Sequence, residues 1–290
     1  MNRNTKILLT ISAALLFAAS LAFFLYLLFD EVRNADSPPV ISLTSDEIHV
    51  SVNASREELL IGVSAMDAED GDLTDRVLIE SISQFVDKGK SIITYAVFDS
   101  ANHAATVSRT LYFTDYTSPR FEIKDRLEFR YTSAINPLGF IRAYDCIDGD
   151  ISGKVSMTLV DSNDFLTSIG THLVEFRVIN SFGDAASFQT EIVVNDRTNT
   201  EQRMTPSITL SDYLVYIERG DLITPLDYLK GITVYGQSYT PEQYGYENIQ
   251  VDVSGFDPTV TGLQKIVFYT EYETYIGSAD LLVYVLDDNA

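Results

Sequence analysis

The chain has 290 residues, of which 46% are hydrophobic and 21% charged, with 15 Gly and 8 Pro. This composition excludes a disordered, collagen-like or low-complexity chain. Acidic residues outnumber basic ones 42 to 20, giving a net charge of −22, which excludes general attraction to nucleic acid, anionic membrane surfaces and polyanionic glycans. One cysteine, Cys146, excludes an internal disulfide framework. Three isolated histidines leave little material for zinc or histidine chemistry.

An uncharged segment of 23 residues, 7–29, follows a short tail over 1–6. As a helix it would span roughly 30 Å or slightly more, the thickness of a bilayer's hydrocarbon core. We therefore predict a transmembrane helix over 7–29. The competing interpretation is a cleaved signal peptide, whose apolar region is typically about 7 to 15 residues and ends at an A-x-A-like site. No small-x-small pattern follows Phe29, so an uncleaved anchor is favoured.

Charge predicts the orientation of this anchor. The first 29 residues carry +2 from Arg3 and Lys6, so the remaining 261 carry −24. Positive charge stays on the cytoplasmic side of a membrane. We predict a single-pass protein of the cell membrane with a cytoplasmic N-terminus, a polar stalk over 30–38 and an extracellular bulk.

Three units of similar length follow the stalk, at 39–116, 117–197 and 198–290. Each opens with a proline before an apolar stretch and closes with an aspartate after a strand-like run. A recurrent glycine lies 26 residues before that aspartate in all three units, in the pairs Gly89–Asp115, Gly170–Asp196 and Gly262–Asp288. This constant spacing predicts that the last hairpin of each unit has the same geometry.

The runs within those hairpins alternate as β-strands do. They are 92–98 with 106–113, 173–179 with 187–194, and 265–271 with 281–286. The turns 99–102 and 180–183 carry Asp, Asn and Gly, whereas 272–275 does not, so the third turn must differ. We predict an all-β fold of three tandem immunoglobulin-like β-sandwiches, with a helical turn only within 222–230.

The first two units also share an Asp-Gly-Asp motif. Residues 67–77 are DAEDGDLTDRV and residues 145–155 are DCIDGDISGKV, at a constant offset of 78. With the downstream FDSANHA and RTLYFTD, this resembles the immunoglobulin-like repeats of bacterial surface proteins, related in style to hyalin-type and cadherin-like repeats. The resemblance covers 38–196 well. It extends to 206–288 only through the shared spacing of the opening proline, the recurrent glycine and the closing aspartate. It implies an extracellular spacer, stalk or binding module and no catalysis, although fold alone does not fix function.

The acidic motifs have two interpretations. Clustered carboxylates around a glycine suit Ca²⁺, which takes six to eight oxygen ligands. Alternatively, the Asp side chains bond local backbone N–H groups in a turn where glycine supplies a positive φ. The spacing does not match the helix–loop–helix calcium loop, so the turn is favoured and no cofactor is assigned. The residues concerned are Asp67, Glu69, Asp70, Asp72, Asp145, Asp148 and Asp150.

Tyrosine is concentrated in the third unit. Four tyrosines fall within twelve residues of a loop that contains Gly and Pro: Tyr235, Tyr239, Tyr244 and Tyr246. Tyrosine offers an apolar face with a hydroxyl group, which favours interfaces. The alternative is that these rings pack onto their own sandwich. The absence of tryptophan weakens the hypothesis that this loop binds carbohydrate.

These patterns favour a membrane-anchored extracellular protein with a structural, adhesive or partner-binding role toward a protein or glycan at the cell surface. No phosphate loop, dinucleotide fingerprint or nucleophile elbow is present, so an enzyme is not expected. Two alternatives stay open. One is an accessory subunit of a membrane-embedded complex that assembles through the helix, and the other is a cell-envelope enzyme with an unrecognised site.

Overall fold

The computed structural model describes residues 3–34, 37–131, 135–160, 166 and 168–287, with side chains of the N-terminal helix described over 11–27. It divides into two compact units, 1–114 and 115–290, which are taken separately below. The closing aspartate predicted for the third repeat, Asp288, lies outside the described residues.

The first unit begins with helix α1 (Arg3–Asn34). The helix includes the whole uncharged segment and the first part of the predicted stalk, through Asn34. Every described side chain over 11–27 is exposed. Across the described part of the chain, no helix combines the length and hydropathy that a membrane span requires.

The first sandwich follows in the same unit. Its seven described strands are β1 (Val40–Leu43), β2 (Glu47–Val50), β3 (Val63–Asp67), β4 (Gly71–Asp72), β5 (Leu78–Ile82), β6 (Lys90–Phe98) and β7 (Ala104–Phe113). One sheet has the order β1-β3-β4 and the other β2-β7-β6-β5, with β2 parallel to β7. A one-turn helix, α2 (Arg56–Leu59), follows β2.

The second unit contains two further sandwiches. The strands of the second sandwich are β8 (Arg120–Ile123), β9 (Glu128–Arg130), β10 (Ile141–Asp145), β11 (Gly149–Asp150), β12 (Ser156–Leu159), β13 (Gly170–Ile179) and β14 (Ala185–Asn195). Its sheets are β11-β10-β8 and β12-β13-β14-β9.

The third sandwich repeats the plan after a short helix, α3 (Asn199–Met204). Its strands are β15 (Ser207–Leu210), β16 (Leu214–Ile217), β17 (Leu229–Val234), β18 (Gln237–Tyr239), β19 (Ile249–Asp252), β20 (Gly262–Tyr272) and β21 (Tyr275–Val285). Its sheets are β15-β17-β18 and β16-β21-β20-β19. A second short helix, α4 (Pro241–Tyr244), follows β18.

The three sandwiches thus share one topology over the described residues, as the repeat spacing predicted. Tyr95, Phe176 and Phe268 occupy equivalent positions on β6, β13 and β20, and each is completely buried. The recurrent glycines that precede or begin these strands all have positive φ, between 67° and 138°. A side chain at such a position is strained, which explains why glycine recurs there.

The cores show one departure from expectation. Tandem domains ordinarily have separate cores, but one continuous apolar cluster runs through the second and third sandwiches. Tyr216 explains the continuity, because its hydroxyl accepts a hydrogen bond from the Phe121 N–H at 2.8 Å while its ring lies beneath the guanidinium of Arg120. The first sandwich has its own cluster.

The turns follow the sequence chemistry. Asn102 and Gly183 have positive φ at the ends of the first two hairpin turns. The third hairpin closes with a two-residue turn, in which Tyr272 pairs with Tyr275 and Glu273 takes a φ of 56°. The prediction that this turn differs is confirmed. A 3₁₀ turn at Pro225–Tyr228 confirms the helical turn within 222–230. The prediction that no other helical turn would occur is wrong, because α2, α3 and α4 are also helical.

Candidate functional site

The tyrosine-rich segment occupies the connection that carries the acidic motif in the other two sandwiches. Strands β17 and β18 are joined by Tyr235 and Gly236, since Val234 pairs with Gln237. In the first sandwich the same connection, from β3 to β4, holds the acidic turn. Tyr235 and Gly236 have φ of 56° and 75°, the left-handed geometry of a tight two-residue hairpin turn.

Tyr235 is the unusual member of that turn. A residue with a side chain is disfavoured in the left-handed region by roughly 1–2 kcal/mol. Its ring is 46% exposed and meets the Tyr272 ring edge-on at a centroid distance of 5.9 Å. An exposed aromatic ring thus lies on a turn of left-handed backbone geometry and packs against a second ring.

Two further tyrosines present rings to solvent beside this turn. Tyr239 is 38% exposed and its ring lies 6.1 Å from that of Tyr244. Tyr246 is 44% exposed, and its hydroxyl donates to a carboxylate oxygen of Glu242 at 2.9 Å. That hydrogen bond raises the pKa of Tyr246, so the hydroxyl stays protonated at neutral pH. These three residues, Tyr235, Tyr239 and Tyr246, are called the tyrosine surface below.

Tyr244 has a different role from the other three. Its ring packs against the core and its hydroxyl lies 2.9 Å from Thr270 Oγ1 on β20. The Tyr244 carbonyl also accepts a hydrogen bond from the Asn248 side chain. The two interpretations of the tyrosines, as a contact surface or as packing onto their own sandwich, therefore each apply to part of the loop. Three tyrosines are exposed to solvent, and the fourth packs the loop against its sandwich.

A short helix gives the loop its shape. The Thr240 side chain accepts from the Gln243 N–H, and the Gln243 side chain accepts from the Thr240 N–H. Pro241 begins the helix, where its missing N–H costs nothing. Gly245 then reverses the chain at φ 90°. The same reciprocal cap begins α2 and α3. The sequence analysis missed all three helices, although the Ser/Thr-x-x-Glu/Gln pattern before each one is a signal that could have found them.

The acidic turn of the first sandwich uses its carboxylates on its own backbone. Asp67 Oδ1 accepts hydrogen bonds from the N–H groups of Glu69 and Asp70 at 2.8 and 2.9 Å. Asp72 Oδ1 accepts one from the Thr74 N–H at 2.9 Å. Hydrogen bonding by Thr74 holds the pKa of Asp72 below its usual value.

The second sandwich repeats this arrangement. Asp145 Oδ1 accepts from the N–H groups of Ile147 and Asp148, both at 2.9 Å. Asp150 Oδ1 accepts from the Ser152 N–H at 2.9 Å, and hydrogen bonding by Ser152 lowers the pKa of Asp150.

The glycines of both motifs behave as the turn interpretation requires. Gly71 and Gly149 have φ of 75° and 71°. Among the described residues, no group of three or more His, Cys, Asp or Glu side chains is placed to hold a metal ion. These contacts match the favoured turn interpretation, and calcium binding remains the untested alternative.

A buried network backs the acidic turn of the second sandwich. Asp145, Asn180 and Tyr116 meet there: the Asn180 amide donates to Asp145 Oδ2 at 3.1 Å and to the Tyr116 hydroxyl at 2.9 Å. Tyr116 in turn donates to Asp184 at 2.7 Å. Burial and this carboxylate raise the pKa of Tyr116 well above its usual value.

The first sandwich lacks the donor in that network. Asp99 stands where Asn180 stands, directly after the equivalent strand, and its carboxylate binds the His103 ring at 2.8 Å. The buried Oδ2 of Asp67 has no hydrogen-bond partner among the described residues. The two turns thus share their backbone geometry. They differ in the hydrogen bonding of one carboxylate oxygen, since Asp145 Oδ2 has a donor and the described residues offer none to Asp67 Oδ2.

Sequence patterns gave no sign of one further feature, a cleft of about 100 Å³ between the second and third sandwiches. Charged residues of both signs line it, among them Arg126, Glu128 and Asp280. Burial raises the pKa of Asp280, and Lys265 opposes that shift. The Lys265 ammonium also lies 3.2 Å from a Glu191 oxygen, so charges on the two sandwiches pair with one another across the cleft.

No model of a protein family matches the sequence, and no curated protein matches it. Among solved structures, the chain is similar to Drosophila N-cadherin EC1-4, at 12% identity over 87% of this chain and 76% of that one, with a TM-score of 0.24. It is similar to mouse Cadherin-23 EC22-24, at 15% identity over 87% of this chain and 100% of that one, with a TM-score of 0.21.

The chain is also similar to the CBM51-2 domain in complex with GlcNAc and INT domains from Clostridium perfringens ZmpB. The identity is 18% over 87% of this chain and 45% of that one, with a TM-score of 0.22. A second ZmpB structure, which includes the M60 catalytic domain, is matched over 31% of its length. The chain thus spans less than half of these two structures. Similarity at this level says nothing about what this chain binds.

Proposed function

We propose that this protein is a partner-binding module held at the cell surface, with the tyrosine surface as its contact. The observation that carries the proposal is Tyr235, an exposed residue on a left-handed turn whose ring is held by an edge-on contact with Tyr272. Tyrosine buries a large amphipathic area at low cost in side-chain entropy. A ring fixed before binding lowers that cost further. The partner is a protein or glycan of the cell surface, and the chain performs no catalytic step on it.

We propose further that α1 anchors the protein as a single-pass helix with its N-terminus in the cytoplasm. The support comes from the sequence: 23 consecutive uncharged residues with Arg3 and Lys6 before them and the acidic bulk after them. Exposed apolar side chains such as Leu16 and Phe17 are costly in water and favourable in lipid.

Protease treatment of intact cells tests the topology. The three sandwiches should be digested, leaving a membrane-bound stub that contains α1. Full protection of the sandwiches, or a mature N-terminus beyond Phe29, would contradict the proposed anchor. Neither result bears on the tyrosine surface, which the next experiment tests separately.

Partner capture tests the contact. Full-length protein should retain cell-surface partners that the double variant Tyr235→Ser, Tyr239→Ser loses, because truncating an aromatic anchor costs roughly 2 kcal/mol or more, about thirtyfold in affinity. Tyr131→Ser is the matched control, since Tyr131 is exposed on the second sandwich.

Both proteins should unfold within a few degrees of the parent, because neither substitution removes a buried group. Equal capture by the double variant and the control would overturn the proposed contact. Capture that survives the double variant but requires α1 would instead favour assembly through the helix. Turnover of the captured partner would contradict the absence of catalysis.

A further inference from the structure

The outward face of the four-stranded sheet in the first sandwich is free of charge over most of its area. On β6 and β7 the inward side chains, such as Ile93, Tyr95 and Leu111, are buried, so the alternate positions face outward. Those eight residues, called the uncharged face below, are Ile92, Thr94, Ala96, Phe98, Ala104, Thr106, Ser108 and Thr110. Ala96 is only 6% exposed, and the other seven are exposed or half-buried.

The equivalent faces of the other two sandwiches are charged. Strand register aligns Thr94, Ala96 and Thr110 with Glu175, Arg177 and Glu191 of the second sandwich. In the third sandwich, charge stands at three of the eight positions, as Lys265, Glu271 and Asp280. At these eight positions the second and third sandwiches each carry three charged residues, and the first carries none. The net charge of the chain is −22.

Few strong hydrogen bonds to water are lost when a partner covers the side chains of this face. Thr94 and Ser108 lie opposite one another, with their hydroxyl oxygens 2.9 Å apart. Ile92 and Phe98 are more than two-fifths exposed, as is Leu78 on the neighbouring strand opposite Ala96. Charged and titratable groups border this described surface: Glu47 and His49 on β2, where Glu47 pairs with Thr110, Lys90 at the start of β6 and Glu80 at the irregularity in β5.

We infer that the uncharged face docks against the same face of a second copy of this chain. Two chains of charge −22 repel one another wherever acidic surfaces meet. None of the eight residues of the uncharged face is charged, so contact between two such faces places no charged side chain of one against a charged side chain of the other. A two-fold axis through the middle of the face, near Thr94 and Thr106, makes the surface its own partner, as two-fold dimer contacts require.

The area of the face sets how this contact works. Together with the adjoining part of β5, which contributes Leu78, the face spans three strands at about 4.8 Å spacing and seven residues at about 3.4 Å each, or about 340 Å² per copy and about 680 Å² in total. Stable interfaces bury roughly 1,200–2,000 Å². The contact is therefore weak in dilute solution and forms when the copies share a membrane, where tethering raises the effective concentration. This step rests on the proposed anchor.

Cysteine cross-linking tests the inference with full-length protein in membranes. In a Cys146→Ser background, Thr106→Cys should give a covalent dimer with a short bis-maleimide. Ser187→Cys is the matched control, because Ser187 holds the same position in the second sandwich but pairs with Arg177. Adding Thr94→Glu, which copies Glu175 of the second sandwich, should reduce the dimer formed by the Thr106→Cys protein at least tenfold.

Each outcome supports or overturns the inference. Circular dichroism should show that the Thr94→Glu protein is folded, as its equivalent tolerates a glutamate. A dimer that persists with Thr94→Glu, or forms equally with Ser187→Cys, would overturn the inference, and so would cross-linking of the Thr106→Cys protein to a different protein. Alkaline carbonate extraction reports separately whether the chain is membrane-integrated. If it is not, the dimer should still form at high protein concentration, so failure of the anchor and failure of the face are distinguishable.

Discussion

The buried network at Asn180 gives the sharpest test of the packing. Replacing Asn180 with Asp keeps the oxygen that accepts from the Phe182 and Asp184 N–H groups at 3.0 and 2.9 Å. It removes the amide that donates to Asp145 and Tyr116 and sets a carboxylate about 3 Å from another. The turn is preserved, so only the network is perturbed.

The cost follows from these contacts. A hydrogen bond to a charged group contributes about 1.5–3 kcal/mol. Two carboxylates this close cannot both ionise cheaply, which adds about 1–2 kcal/mol for binding one shared proton near neutral pH. We expect Asn180→Asp to lower the free energy of unfolding by about 3–5 kcal/mol at pH 7.

The pH dependence identifies the cause. A native state that binds an extra proton gains stability as pH falls, so the deficit relative to the parent should shrink between about pH 7 and pH 5. Urea denaturation across this range measures it. A deficit below about 1 kcal/mol with no pH dependence would refute the reasoning.

Three further predictions concern stability. Truncating any of the equivalent core aromatics to Ala should cost about 3–5 kcal/mol by urea denaturation, and the loss should spread across the second unit when the residue is Phe176 or Phe268. Arg109→Met should cost about 3 kcal/mol or more in the first sandwich, because the buried guanidinium donates to the carbonyls of Leu59 and Ile61; a loss under about 1 kcal/mol would contradict that role. Tyr235→Gly should leave the melting temperature unchanged or higher, since glycine relieves the left-handed strain, yet weaken partner capture; a large drop in melting temperature would show that the ring serves the fold.

The long hairpins could be predicted from sequence because their strands span nine or more residues with one face buried. Alternation is strong over such lengths. Strand β4 has only two residues, Gly71 and Asp72, and carries no periodic signal. The short helices were missed for the same reason, although their reciprocal caps were visible in the sequence.

The candidate site was predicted less completely, for a physical reason. Composition singled out four tyrosines, but the direction of each ring depends on the turn at Tyr235 and Gly236 and on the hydrogen bond between Tyr244 and Thr270. Both features belong to the folded structure, and the number of tyrosines in the loop does not predict them. The shared core of the second and third sandwiches likewise depends on Tyr216 reaching the backbone of Phe121, a contact between residues 95 positions apart.

Two of the divergences within the repeated frame create the surfaces proposed above. The connection before β4, β11 and β18 is an Asp-rich turn twice and a tyrosine turn once. The outward face of the four-stranded sheet is charged twice and uncharged once. Neither change touches the alternating inward residues, because a substitution there costs several kcal/mol whereas an outward or turn residue changes stability little. A sandwich can therefore gain a contact surface without a new core. The two departures lie on different sandwiches, the uncharged face on the first and the tyrosine surface on the third, so the proposed pairing of copies and capture of a partner can be altered independently by single substitutions.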